Sequence, residues 1–177
     1  MFSVGDTVVY RHHVCTIACV REAYFDEKDY FELHTLFEKS LKLYVAIEDA
    51  EEPLMRSVMS ADEALALIDF VPTAPFIDEA VLHANATTMS LAERQIKEEY
   101  ERRLKTSDAY DLVPVVKSTH KRTVERESSG RHVTAIDKKY HDLAKSLLFD
   151  ELAVALDLDR DAVEDFVRNR LGDAGEW

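Results

Sequence analysis

The sequence predicts an α+β protein: a small N-terminal antiparallel β-barrel or bent sheet, followed by a C-terminal all-helical domain. Three observations carry that expectation. Hydrophobic residues make up 46% of the 177, enough to build cores. The first 50 residues hold short, closely spaced runs rich in β-branched and aromatic side chains. From about residue 60 the apolar spacing changes to the helical period, behind Ser and Thr capping signals.

Taken in order, Asp6-Thr7-Val8-Val9-Tyr10 reads as a short strand. Residues 14–20 are apolar almost throughout, residues 30–36 alternate, and Leu41 to Ile47 forms a fourth run. Asp26-Glu27-Lys28-Asp29 and Glu38-Lys39-Ser40 are polar connections of hairpin length. Ser60 followed by Glu63 is a capping box that opens a helix through Ile68. Pro72 and Pro75 stop it, because each disfavours helical geometry in the preceding residue. Ser90 is read as the cap of a second helix over residues 91–106, in which Ile96, Tyr100 and Leu104 share a face. A third helix is expected over about 109–127, ending at Ser128-Ser129-Gly130. Thr134 with Asp137 begins a long helix carrying Leu143, Leu147, Leu148 and Leu152. A last short helix follows Asp159 and runs to about Leu171. The division is residues 1–70 for the β domain, 71–89 for the junction and 90–177 for the helical domain.

Composition excludes several classes. Four Gly and four Pro rule out collagen-like and Gly-rich architectures, and two Cys cannot build a disulfide scaffold. The opening residues hold neither a basic segment nor an apolar run, so no secretory signal is expected. No stretch nears the roughly 20 apolar residues of a membrane span, and a cytoplasmic location follows as the expectation. No Gly-rich phosphate loop, nucleophile elbow or HExxH motif is present, so no enzyme is predicted and no cofactor is implied. His12, His13, Cys15 and Cys19 have ligand-type side chains, but positions 15, 17 and 19 of a strand share a face as Cys-Ile-Cys. That is ordinary apolar packing, and no metal is expected.

Charge is unevenly distributed. The net charge is −13, which repels phosphate over the average surface. Residues 1–93 carry 6 basic and 17 acidic side chains, residues 94–145 carry 13 and 9, and residues 146–177 carry 3 and 9. The basic stretch holds Arg94, Lys97, Arg102, Arg103 and Lys105, then Lys117, Lys121, Arg122 and Arg126, then Arg131, Lys138, Lys139 and Lys145. Lys117 and Lys121 share a helical face. Either this surface meets phosphate, or it is solvated and laced with ion pairs to the interleaved Glu98, Glu99, Glu101, Glu125 and Glu127.

The order of features resembles the CarD family of bacterial transcription regulators. Residues 2–10 (FSVGDTVVY) with His13-Val14-Cys15 resemble the family's opening module, which the transcription-repair coupling factor shares. Ile47-Glu48-Asp49-Ala50-Glu51 with residues 55–60 (MRSVMS), then residues 104–108 (LKTSD), residues 133–140 (VTAIDKKY), residues 148–156 (LFDELAVAL) and residues 161–166 (DAVEDF), continue it collinearly. The resemblance implies a monomeric regulator, nucleoid-associated through polymerase. It would dock on the RNA polymerase β subunit through the N-terminal domain, at Leu43, Tyr44 and Val45 of the fourth strand. It would bind promoter DNA at the upstream edge of the bubble through the helices, at Met89, Arg94, Lys117, Lys121, Arg122, Arg131, Lys138 and Lys139, and so modulate open-complex stability. The alternative is an adaptor that binds polymerase without touching DNA. Three departures stand out. The family's Gly after its His is missing, so the first hairpin is expected to differ in shape. Tyr44 stands where some members have a basic residue. The family's wedge Trp is absent, the only Trp being Trp177, and counting back from Asp108 puts Met89 in its place. Met89 is then either a wedge or an apolar residue packed before the Ser90 cap.

Overall fold

The computed structural model describes residues 2–84, 87–106 and 108–172; Ser107 and Trp177, both singled out in the sequence, lie outside them. Among the described residues five strands come first: β1 (Thr7–Tyr10), β2 (His13–Phe25), β3 (Lys28–Thr35), β4 (Lys42–Ala46) and β5 (Met55–Ser57). They form one antiparallel sheet in the order β4-β3-β2-β1-β5. The two ends do not pair, so the domain is a bent sheet and not a closed barrel.

Alternation gives the sheet its two faces. Val8, Tyr10, Cys15, Ile17, Phe31, Leu33, Val45 and Met55 form the N-terminal core on one side. The pairing shifts between Ile17 and Cys19 and again between Arg21 and Phe25, which bends the long β2–β3 ribbon. The β1–β2 turn consists of Arg11 (φ 49°) and His12 (φ 69°), between paired Tyr10 and His13. Two positive-φ residues in a two-residue loop are the hairpin geometry whose twist matches the strands. Chains usually use Gly or Asn there, because other side chains lose roughly 1–2 kcal/mol in this region. His12 offsets that cost by burial at 1% exposure, where Nε2 lies 3.2 Å from the Arg103 carbonyl. The missing glycine thus leaves a tight hairpin, seated on the helical half.

Six α-helices follow among the described residues: α1 (Ala61–Phe70), α2 (Glu79–His83), α3 (Met89–Arg103), α4 (Leu112–Ser128), α5 (Ala135–Ala155) and α6 (Val163–Leu171). Ser60 closes a full capping box with Glu63 at the start of α1. Thr134 accepts the Asp137 N–H at the start of α5. The cap of α3 is Thr88, accepting the Leu91 N–H at 3.2 Å, and not Ser90, which lies inside the first turn. Gly130 (φ 67°) ends α4, and the Arg131 N–H returns to the Arg126 carbonyl.

One core unites the helices, including Leu67 and Ile68 of α1, Val71, Ile77, Ile96, Tyr100, Val115, Val116, Leu148, Leu152 and Val167. The buried face of α1 therefore belongs to the helical core, although its sequence lies before residue 71. The two halves are clamped together. Arg56 on β5 donates to both carboxylate oxygens of Glu151 on α5, at 2.5 and 2.8 Å, and the Met59 N–H donates to the same carboxylate.

Candidate functional site

Two places gather the residues singled out in the sequence: one edge of the sheet and one end of the helical bundle. At the sheet edge, β4 has no strand on its outer side among the described residues. The Thr35 N–H reaches the Leu41 carbonyl at 3.5 Å and closes the β3–β4 ladder. Antiparallel alternation then turns the N–H groups of residues 43 and 45 inward to β3, and those of Lys42, Tyr44 and Ala46 outward. Val45 places its side chain in the core at 2% exposure. Leu43 is half-buried and lines a groove with Leu104 and Leu143. Of the three residues expected at this contact, Tyr44 thus presents its backbone to the free edge, and its ring lies on the solvent face.

That face carries a cluster the sequence did not reveal. Tyr44 stacks on Tyr24 at 4.8 Å between ring centroids, and Tyr24 meets Tyr30 edge-on at 5.7 Å. Beside them Glu32, only 2% exposed, accepts from Arg21 Nε at 2.6 Å and Lys42 Nζ at 3.0 Å, with His34 Nε2 at 2.7 Å. His34, Lys42 and Arg21, bonded to it, hold the carboxyl far below its ordinary range, at about 2. The three partners lie on three different strands, so only the strand register brings them to one acid. No spacing in a single sequence signals that.

At the other end, the beginnings of α3 and α5 meet the last turns of α4. Arg122 on α4 is buried and binds three carboxylates. Nε donates to Asp137 at 2.8 Å, Nη1 to Glu79 at 2.8 Å, and Nη2 to both oxygens of Glu93 at 2.9 and 3.0 Å. Burial alone would lower its pKa, but the Asp137 and Glu93 bonds with the Glu79 charge outweigh that and raise it. Asp137, fully buried, also accepts from the Thr134 hydroxyl at 2.7 Å and the Tyr100 hydroxyl at 3.4 Å. The guanidinium is therefore held inside the domain by acids of three helices. Lys117 is held too. Its ammonium donates to the carbonyls of Val71, Pro72 and Ala74 at 2.7–3.2 Å, closing the end of the α1 segment. Partial desolvation pulls its pKa down. Both placements have one cause: helical spacing assigns a side chain to a face but does not say what that face packs against.

The remaining residues stay at the surface. Met89 is the first residue of α3 and is 77% exposed, which excludes a packed position before the helix. Arg94 is exposed and bonds Glu98 one turn on, at 2.7 Å. Lys121 lies 5.1 Å from the centroid of the half-exposed Phe76 ring and 3.8 Å from Glu125. Lys138 is exposed, 3.4 Å from Asp142, and Lys139 lies over the Tyr140 ring at 5.3 Å. Arg131 is exposed on the turn after α4. Glu93 and Asp137 share Arg122, with Arg126 within 3.4 Å of Glu93 and 3.9 Å of Asp137. Met89 lies one turn before Glu93, Lys138 lies next to Asp137, and Arg131 lies on the turn that follows Arg126. Each of the three is thus a short step along the chain from a residue of the cluster around Arg122.

No group of three or more His, Cys, Asp or Glu among the described residues is arranged to hold a metal. Cys15 is buried, and burial pushes its thiol up to about 12, so it is inert apolar filling. No helix is long and apolar enough to cross a membrane among the described residues.

No curated protein matches the chain. The family model of the CarD C-terminal domain matches residues 79–168, from the start of α2 to within α6, a span that includes the Arg122 cluster, Met89 and every basic residue from Arg94 to Lys145. With that match covering half the sequence, behind a five-stranded N-terminal sheet, the chain belongs to the CarD family of transcription regulators.

Proposed function

We propose that this protein is a non-catalytic bacterial regulator that binds the RNA polymerase β subunit through its sheet and promoter DNA at the upstream edge of the bubble through its helical end. It acts as a cytoplasmic monomer and modulates open-complex stability. The observation that carries the reading is the convergence at one end of the bundle. Exposed Met89 stands at a capped helix N-terminus, one turn before Glu93, which Arg122 links to Asp137 at the start of α5. Helix N-termini favour phosphate, and an apolar side chain at the same place can fill a partly opened base step. Arg94, Lys121, Arg131, Lys138 and Lys139 supply the surrounding charge, while Arg122 and Lys117 support the scaffold from within. Docking on polymerase through the outward β4 edge makes DNA contact local, so a modest basic face acts despite the acidic total.

A second reading has an observation in its favour. Arg94, Lys121 and Lys138 each have an acidic neighbour one turn away, which suits an adaptor that binds polymerase alone. Footprinting of polymerase on a promoter, with and without the protein, separates the two. The proposal expects added protection at the upstream bubble edge and a changed open-complex lifetime. Polymerase binding with an unaltered footprint leaves the adaptor.

A further inference from the structure

The Arg122 cluster lies behind the proposed wedge, and its architecture exceeds what holding one helix in place requires. Each of its three acids comes from a different helix: Glu79 opens α2, Glu93 lies one turn into α3, and Asp137 lies in the first turn of α5. Met89 and Glu93 are four residues apart, so they lie one above the other on α3. The exposed thioether is thus one helical turn from a carboxylate whose two oxygens both accept from Arg122 Nη2, and which Arg126 also holds. A side chain that opens a base step is pushed back along its helix by the stacking it displaces. An apolar contact behind it is non-directional and lets the helix slide or rotate, whereas a planar guanidinium bonded to three acids fixes axis and rotation together.

We propose that Arg122, which touches no DNA, is the positioning residue that braces the start of α3 and so holds Met89 in place to act at the promoter; this rests on the wedge reading of Met89. Buried ionic clusters contribute little net stability over apolar packing, so geometric specificity is the advantage this one offers.

The test is a double-mutant cycle in the full-length protein, reading open-complex lifetime on one promoter at a temperature well below unfolding. The variants are Arg122→Lys, Glu93→Gln and Met89→Ala, alone and combined. Glu93→Gln keeps shape and removes only a charge, which guards against a variant that fails to fold. Polymerase affinity and secondary structure are measured alongside. Arg122→Lys cannot bridge three acids and is expected to lose at least about half of the lifetime effect of the wild type, with polymerase affinity unchanged. Glu93→Gln is expected to lose part of it. In the Met89→Ala background neither substitution should change the lifetime further, because both act through Met89. Losses that simply add to that of Met89→Ala, or wild-type lifetimes in both variants, overturn the bracing role. A Met89→Ala protein that matches the wild type while polymerase still binds is a different failure, that of the wedge reading itself.

Discussion

His12 combines a strained backbone, near-complete burial and an imidazole facing the end of α3. Its Nε2 lies near the Arg103 carbonyl and, at 3.4 Å, the Thr106 hydroxyl, while Nδ1 is buried without a partner among the described residues. Burial lowers its pKa to about 4, with the Arg103 bond and nearby Asp111 and Asp108 opposing and Arg56 assisting. The folded state therefore needs the neutral ring, whereas the unfolded chain binds a proton below about 6.5. Stability is expected to fall as pH drops from about 6.5 to 4 and to lose no more from this group below that. The depressed pKa corresponds to a few kcal/mol in all, on the order of 3. His12→Asn, which tolerates the left-handed backbone, should flatten this part of the pH profile of the urea midpoint. Equal slopes for the two proteins between pH 6.5 and 4.5 would rule His12 out as the source. Met89 belongs to the same scale. Being exposed, Met89→Ala should change folding stability by less than about 1 kcal/mol. Met89→Trp, with a larger and more rigid ring, should lengthen the open-complex lifetime. A shorter lifetime for the Trp variant would contradict the wedge geometry.

Among the elements, β4 and the β5–α5 clamp carry separate expectations. Because Tyr44 turns its N–H outward, Tyr44→Pro removes an edge donor while leaving the inner β3 ladder in place. Polymerase affinity should drop at least tenfold, whereas Tyr44→Val, which retains the donor, should lose less. Equal losses would mean that the partner meets the tyrosine ring and not the strand edge. Val45→Pro is the poorer probe, since it strikes an inward donor and a core side chain. The clamp predicts a stability effect. Arg56→Met leaves Glu151, 1% exposed, without its bidentate partner, and should cost about 3–5 kcal/mol in urea denaturation. Adding Glu151→Leu should recover most of that loss, because the apolar pair has no buried charge to strand. A double variant no better than the single would show that the Met59 N–H bond matters more than the ion pair.

At the scale of the whole molecule, the acidic total and the basic helical end meet in one salt experiment. Lys138→Glu with Lys139→Glu should weaken association with a promoter-bound polymerase uniformly across sequences, since phosphate contacts position without specifying. The slope of log affinity against log salt should fall by roughly 0.9 for each duplex phosphate that is no longer neutralised. An unchanged slope would assign both lysines to solvent, beside Asp142 and Tyr140.

Local chemistry made much of this architecture legible in the sequence. Strand runs, the Ser60 and Thr134 caps and the Gly130 stop act over a few residues, and the order of short motifs sufficed to indicate the family. β5 is three residues long and pairs with β1 from far along the chain, and α2 is one short turn and a half. Neither has enough residues to show a period. What only the tertiary structure decided is the fate of each charge. Lys117 and Lys121 share a helical face, yet one is spent on backbone carbonyls and the other is exposed. Arg122 looks in sequence like the surface cations around it and is buried among three acids from three helices. Spacing along a chain determines which face a side chain takes. What that face meets is decided by residues 15 to 46 positions away, brought there by burial of the shared helical core.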